Sequence, residues 1–250
     1  MITLLNEETR AEFLRRCAGV PCMGPLLAVH AQVFGCSSNL LQLYLCDEGV
    51  LQLRGDSAVL LGRTDGEELA GLLAFLGITR LRTTAEMPPP PGWHQAEAVC
   101  VMEWQPTLGV PLPQLPQGAV LIDEPAMGDV LAVLAGEGIQ GAAAENLYSE
   151  LCSKRSRGLA CACTAEENGV TLAAACAAAI TGEEAYLSEI ATLPAARGRG
   201  IGRALVAALA ARLAADGKRR VTLLCRTNRR SFYQSFGFVQ TGVFFELAPQ

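Results

Sequence analysis

The residues best suited to chemistry in this 250-residue sequence lie in one short run, Ile190-Ala-Thr-Leu-Pro-Ala-Ala-Arg-Gly-Arg-Gly-Ile-Gly-Arg-Ala-Leu205. Gly198, Gly200 and Gly202 fall at every second position, with Arg197, Arg199 and Arg203 interleaved around them. The apolar and β-branched residues before Pro194 read as a strand, the proline stops it, and the Ala/Leu-rich run after Gly202 reads as a helix. A strand that turns through glycines into a helix presents unpaired backbone N–H groups at the positive end of the helix macrodipole. Such a turn cradles phosphate. Glycine keeps Cβ atoms out of the way of a bulky anion, and the arginines place charge around it.

The spacing narrows the ligand. A dinucleotide fold needs G-x-G-x-x-G, and here Arg203 stands where its last glycine would be; no acidic residue follows at a strand end about 20 residues on. A P-loop is excluded as well, because no Gly-Lys-Ser/Thr follows the turn. His30 and His94 are the only histidines, and neither has a context that suggests a base, which argues against Ser-His-Asp and Cys-His nucleophiles. The ten cysteines contain no C-x-x-C pair, so no metal site reads from them; among Ala, Leu and Val they read as small buried hydrophobes.

Arg197-Gly198-Arg199-Gly200-Ile201-Gly202 resembles the R/Q-x-x-G-x-G/A motif of the GNAT superfamily of N-acetyltransferases, with Pro194 at the end of that family's strand. Starting 35 positions after Arg197, Phe232-Tyr233-Gln234-Ser235-Phe236-Gly237-Phe238 resembles its second signature, F-Y-x-x-x-G-F. The resemblance covers Ala119 to Gln250, and the first 118 residues carry no motif of the family. It implies an α/β (mixed α+β) fold: a mostly antiparallel mixed sheet with splayed central strands, flanked by helices, with the pantetheine arm of acetyl-CoA in the splay. By position it implies that the backbone of Ile190, Ala191 and Thr192 pairs with pantetheine. The amides of Gly198, Arg199, Gly200, Ile201, Gly202 and Arg203 would then hold the pyrophosphate, with Arg197 beside them.

Acyl transfer from a thioester to an amine needs a neutral amine, an oxyanion stabiliser and an acid for the departing thiolate. Tyr233 matches the family tyrosine that hydrogen-bonds the CoA sulfur, and its phenol can lend a proton at neutral pH. Glu189, eight residues before Arg197 on the strand lining the splay, is the candidate base; Tyr186 is the next candidate if the strand bulges. The family places an asparagine seven residues before the tyrosine, whereas Asn228 stands five before it, a departure that puts its cofactor role in question. The acceptor expected is a primary amine of a small molecule or peptide. The alternative is a non-catalytic acyl-CoA-binding sensor or regulatory module.

The surrounding chain must position these residues. At ~100–200 residues per domain the length suits two domains, and half the residues are apolar, with mean hydropathy +0.27, so disorder is excluded. Prolines at 88–91 and again at 106, 111, 113 and 116 mark connectors, and the second cluster places the boundary near residue 115: residues 1–115 as an N-terminal α/β domain and 116–250 as the acetyl-CoA-binding domain. Both halves read in a similar order of strands and helices, which leaves open that the first is a degenerate copy of the second without its functional loop. Before Gly118 the count is 7 basic and 12 acidic residues; Ala195 to Ser235 carries ten basic residues against Asp216 alone. With net charge −5 and no aromatic interleaving in the basic stretch, a nucleic-acid partner is not expected. The longest weakly polar run, Val170 to Gly182, is 13 residues, short of the ~18–20 of a bilayer span, and no basic n-region precedes an apolar stretch at the start. A cytoplasmic protein without a membrane partner is expected, and a homodimer is one assembly left open.

Overall fold

The computed structural model describes residues 1–36, 38, 40–84, 87–105 and 112–250. Pro106 and Pro111 of the connector lie outside them. The chain forms two compact units, one of Met1–Val101 with Cys225–Arg230 and Thr241–Gln250, the other of Met102–Leu224 with Ser231–Gln240. These differ from a single cut near residue 115, because the last strand returns its end to the first unit.

The first unit runs β1 (Thr3–Leu4), α1 (Arg10–Cys17), α2 (Met23–Phe34), β2 (Gln42–Leu45), β3 (Glu48–Arg54), β4 (Ser57–Arg63), α3 (Gly66–Phe75) and β5 (Arg80–Thr84), followed by β6, which spans Trp93–Trp104. Strands β1 to β4 pair antiparallel in sequence order; β4 and β5 pair parallel from Ser57↔Arg80 to Leu60↔Thr83, across the helix that crosses over between them. Sequence chemistry sets the helix starts. Asn6 and Thr9 bond each other's backbone N–H at 2.9 and 3.1 Å ahead of α1, and Asp65 caps α3 by accepting from the Glu68 N–H at 2.8 Å. Leu51, Leu60, Leu69, Leu73 and Leu81 form the centre of the core. Helix α2 takes Pro25 into its first turn, where no intrahelical donor is needed.

The second unit repeats the order: β7 (Ala119–Asp123), α4 (Met127–Ala135), α5 (Ala142–Arg155), β8 (Cys161–Glu167), β9 (Val170–Ile180), β10 (Glu184–Thr192), α6 (Ile201–Ala215) and β11, which spans Arg220–Arg226. Strands β7 to β10 are antiparallel neighbours in sequence order, and β10 and β11 are parallel. The short helix α7 (Arg230–Gln234) leads into β12 (Phe238–Pro249), one continuous strand. Its far end, Phe244–Leu247, pairs antiparallel with Leu81–Thr84 of β5. Strand β9 is built of small residues, with Ala173 to Ala179 buried throughout, and α4, α5 and α6 all pack on it. Alanine is the best helix former, yet here its small side chain lets helices come close to the strand, and that packing decides the conformation.

Seven of the ten cysteines are buried. Burial pushes the thiols of Cys17 and Cys163 up to about 12, so they stay protonated and pack as hydrophobes.

Candidate functional site: the loop between β10 and α6

The site is built where β10 ends. Its ladder with β11 runs from Glu184↔Arg220 to Leu187↔Leu223, while β10 itself continues to Thr192. Over Ala191 and Thr192 the strand is held on its other side, by Ala174 and Ala173 of β9. Between these two stretches the register slips between Ser188 and Ala191, and Glu189 takes a left-handed backbone with φ +51°. For a residue with a Cβ that conformation costs on the order of 1 kcal/mol and persists only where the neighbours enforce it. The bulge therefore turns Glu189 out of the regular alternation. Glu189 is half-buried, and its carboxylate accepts a hydrogen bond from Ser188 Oγ at 3.2 Å. Tyr186, on the regular part of the strand, is only 7% exposed.

After Thr192 the chain makes a short 3₁₀ turn, Pro194–Ala196, and passes through Gly198 (φ +77°) and Gly200 (φ +81°) into α6. Gly200 is the N-cap in the left-handed conformation, and the first rung of the helix is Ala204 N–H to Gly200 O at 3.0 Å. The N–H groups of 201 to 203 precede that rung and lie at the positive end of the helix. Gly202 serves a different need: its backbone lies against Thr192, where a Cβ would come within 2.6 Å of Thr192 Oγ1. The end of β10 and the start of α6 thus touch, and the amides of the loop are fixed beside the edge of the strand.

The three loop arginines are exposed and all have partners within the second unit. Arg197 donates from Nε to Thr192 O at 3.1 Å and pairs with Glu137. Arg199 forks onto Glu167, at 3.1 and 2.5 Å, and this guanidinium holds the Glu167 carboxyl below the usual carboxylate range. Arg203 donates to Ser235 O at 2.7 Å, with its guanidinium carbon 5.7 Å from the centre of the Phe236 ring. The sequence gives no sign of Glu137 and Glu167, which stand 60 and 32 positions from the arginines they meet.

Arg203 links the loop to the second signature. Tyr233 is half-buried in α7, with its ring 5.1 Å from Phe232, 5.9 Å from Phe236 and 5.8 Å from Phe238. This aromatic cluster fixes the ring plane, and hence the direction of the hydroxyl. Asn228 lies in an exposed 3₁₀ turn, Thr227–Arg229, that belongs to the first unit, where Thr227 Oγ1 donates to Ala98 O at 3.1 Å. The loop, Glu189 and Tyr233 all belong to the second unit.

Residues 136–238 match the model of the acetyltransferase (GNAT) family. That stretch is a GNAT domain. Its loop, bulged strand and Phe-Tyr signature all fall inside the matched residues. No curated protein matches the sequence. Among solved structures, a tandem GNAT protein from the clavulanic acid biosynthesis pathway superposes with TM-score 0.66 at 16% identity, covering 100% of this chain and 98% of that one. A GCN5-related N-acetyltransferase from Sphaerobacter thermophilus gives TM-score 0.66 at 14% identity over 99% and 94%, and one from Kribbella flavida gives 0.61 at 14% over 93% and 96%. The likeness is one of fold, and it extends through the first unit.

The first unit differs from the GNAT domain at the corresponding helix start. The β4–β5 ladder stops after four pairs, as β10–β11 does, and β4 also carries a positive φ just beyond it, at Gly62 (+89°). The helix that follows is different. Asp65 occupies the N-cap of α3 with its own carboxylate, and Glu67 and Glu68 fill the first turn, where the GNAT domain has glycines and arginines. A helix end already satisfied by acidic side chains repels phosphate rather than cradling it. Among the described residues no group of three or more His, Cys, Asp or Glu could hold a metal, and no helix is long and apolar enough to cross a membrane.

Proposed function

We propose that this protein is an N-acyltransferase that moves the acetyl group of acetyl-CoA to a primary amine of a small molecule or peptide. One observation carries the reading: a parallel ladder that ends at Leu187↔Leu223 while β10 runs on to Thr192 and into the glycine loop that opens α6. In this reading the freed edge of Ile190, Ala191 and Thr192 binds the pantetheine arm, and the amides of Gly198 to Arg203 bind the pyrophosphate. The thioester end then comes toward Glu189 and Tyr233. Glu189 takes the proton of the incoming ammonium, directly or through water. The amine attacks the thioester carbonyl, the carbon–sulfur bond breaks as Tyr233 gives its phenolic proton to the departing thiolate, and the phenolate so formed takes the extra proton of the new amide nitrogen. The bulge supports the role of Glu189, since it turns this side chain away from the positions its neighbours occupy.

The packing of Tyr233 among three phenylalanine rings favours a second reading, in which it is a structural residue and the domain senses acyl-CoA without turning it over. A panel of primary amines incubated with protein and acetyl-CoA, followed by free thiol release, separates the two. Thiol release that depends on a particular amine supports the enzyme. A CoA-induced rise in Tm with no release across the panel favours the sensor. At a hundred times Kd the ligand adds ~2.7 kcal/mol of stability, a rise of roughly 5–10 °C for a chain of this size.

A further inference from the structure

Two carboxylates contact the phosphate loop from outside it. Arg197, anchored through Nε on Thr192 O, turns its other end to Glu137, in the turn after α4; Arg199 forks onto Glu167, at the end of β8. Two separate elements thus bring carboxylates to one loop. We propose that Glu137 and Glu167 are the resident counter-anions of this loop, displaced when a ligand binds, and that they make it selective for a ligand with two or more adjacent phosphate charges.

Selectivity here comes from exchange of partners, and it rests on the cofactor reading above. The side chains of Arg197 and Arg199 are 53% and 38% exposed and those of Glu137 and Glu167 are 38% and 24% exposed, so these pairs can change partners without unfolding anything. Pairs of this kind are weakly held. A single negative charge arriving at the loop replaces one carboxylate by another anion and gains little. A diphosphate reaches both arginines and the helix amides at once, and charge-assisted bonds to phosphate are the stronger kind. Arg203 needs no such exchange, since its partner is the neutral carbonyl of Ser235.

The test is calorimetric titration of the whole chain with CoA and, separately, with pantetheine, which lacks phosphates. The wild type, Glu137→Gln, Glu167→Gln and the double variant are compared at low and moderate salt. Each single variant is expected to bind CoA about two- to five-fold tighter, the usual worth of an exposed pair, with the gains multiplying in the double variant and shrinking as salt rises. Pantetheine affinity should stay unchanged. Unaltered or weaker CoA binding in both single variants, with the wild type binding normally, overturns the proposal alone. Equal gains for pantetheine overturn it too, since they assign the effect to the fold. If the wild type binds no CoA, the cofactor reading falls and this proposal with it.

Discussion

Gly202 and Thr192 meet through the space a side chain would fill: a Cβ built on Gly202 lies 2.6 Å from Thr192 Oγ1. Gly200, two residues earlier, has nothing within 4 Å of its own Cβ position, but its φ is +81°. The two glycines are required for different reasons, one steric and one conformational, and the difference can be measured. Gly202→Ala should destabilise the protein by about 1–3 kcal/mol, the usual cost of overpacking, and abolish the rise in Tm with CoA. Adding Thr192→Ala should restore most of both. Gly200→Val should lose the CoA response too, through the backbone, and Thr192→Ala should not rescue it. Arg219→Ala is the control, since Arg219 is 79% exposed and pairs with Glu183. Rescue of both glycine variants, or of neither, would contradict this division of roles.

Tyr233→Phe keeps the ring that packs on Phe232, Phe236 and Phe238 and removes only the hydroxyl. CoA affinity should stay within a few-fold, while turnover with a real acceptor falls ~10²-fold or more. If the phenol acts only in the transition state, kcat and kcat/KM fall together. An unchanged kcat would leave Tyr233 a packing residue.

Glu189 offers a test in which stability and activity move in opposite directions. Because its φ is +51°, Glu189→Gly should relieve the backbone and raise stability by up to about 1 kcal/mol, while removing the proposed base and slowing the reaction. Glu189→Gln keeps the strain and loses the base. Thermal melts and initial rates on both variants check this; equal activity in the wild type and both variants would remove Glu189 from the chemistry.

One CoA per chain is the stoichiometry expected, although the fold is built twice. The start of α3 is occupied by the Asp65 carboxylate with Glu67 and Glu68 behind it, so only the α6 loop remains for a pyrophosphate. Calorimetric titration of the wild type should give a ratio near one, and Gly200→Val should bring it to zero. A ratio near two would show that the first unit binds CoA despite its acidic helix start.

Much of this was legible in the residues, and the exceptions share a cause. Arg197 to Gly202 and Phe232 to Phe238 are local motifs whose spacing carries their geometry, so both were readable where they stand. The strand over Ala173 to Ala179 was readable only from its place in the order of elements, since alanine by itself favours helix. Local pattern gave no access to Glu137 and Glu167, which come to the loop through tertiary folding. The bulge at Glu189 was equally hidden, because nothing in Leu187-Ser188-Glu189-Ile190 demands a positive φ. The return of Phe244–Leu247 to β5 depends on a partner about 160 residues away, as the Arg82–Glu246 ion pair across the same ladder illustrates with a separation of 164.

The parallel ladder also bears on the order in which the second unit assembles. Its hairpins β8–β9 and β9–β10 join neighbours across short turns, whereas Glu184 and Arg220, which open the β10–β11 ladder, are 36 residues apart and must wait for the whole of α6. Contacts of that separation are made late, after the loop-closure entropy has been met by local structure. The end of this ladder is therefore among the late features to form, so amide hydrogen exchange should be faster at Ile190 to Arg203 than along β9, and a ligand seated there would slow it.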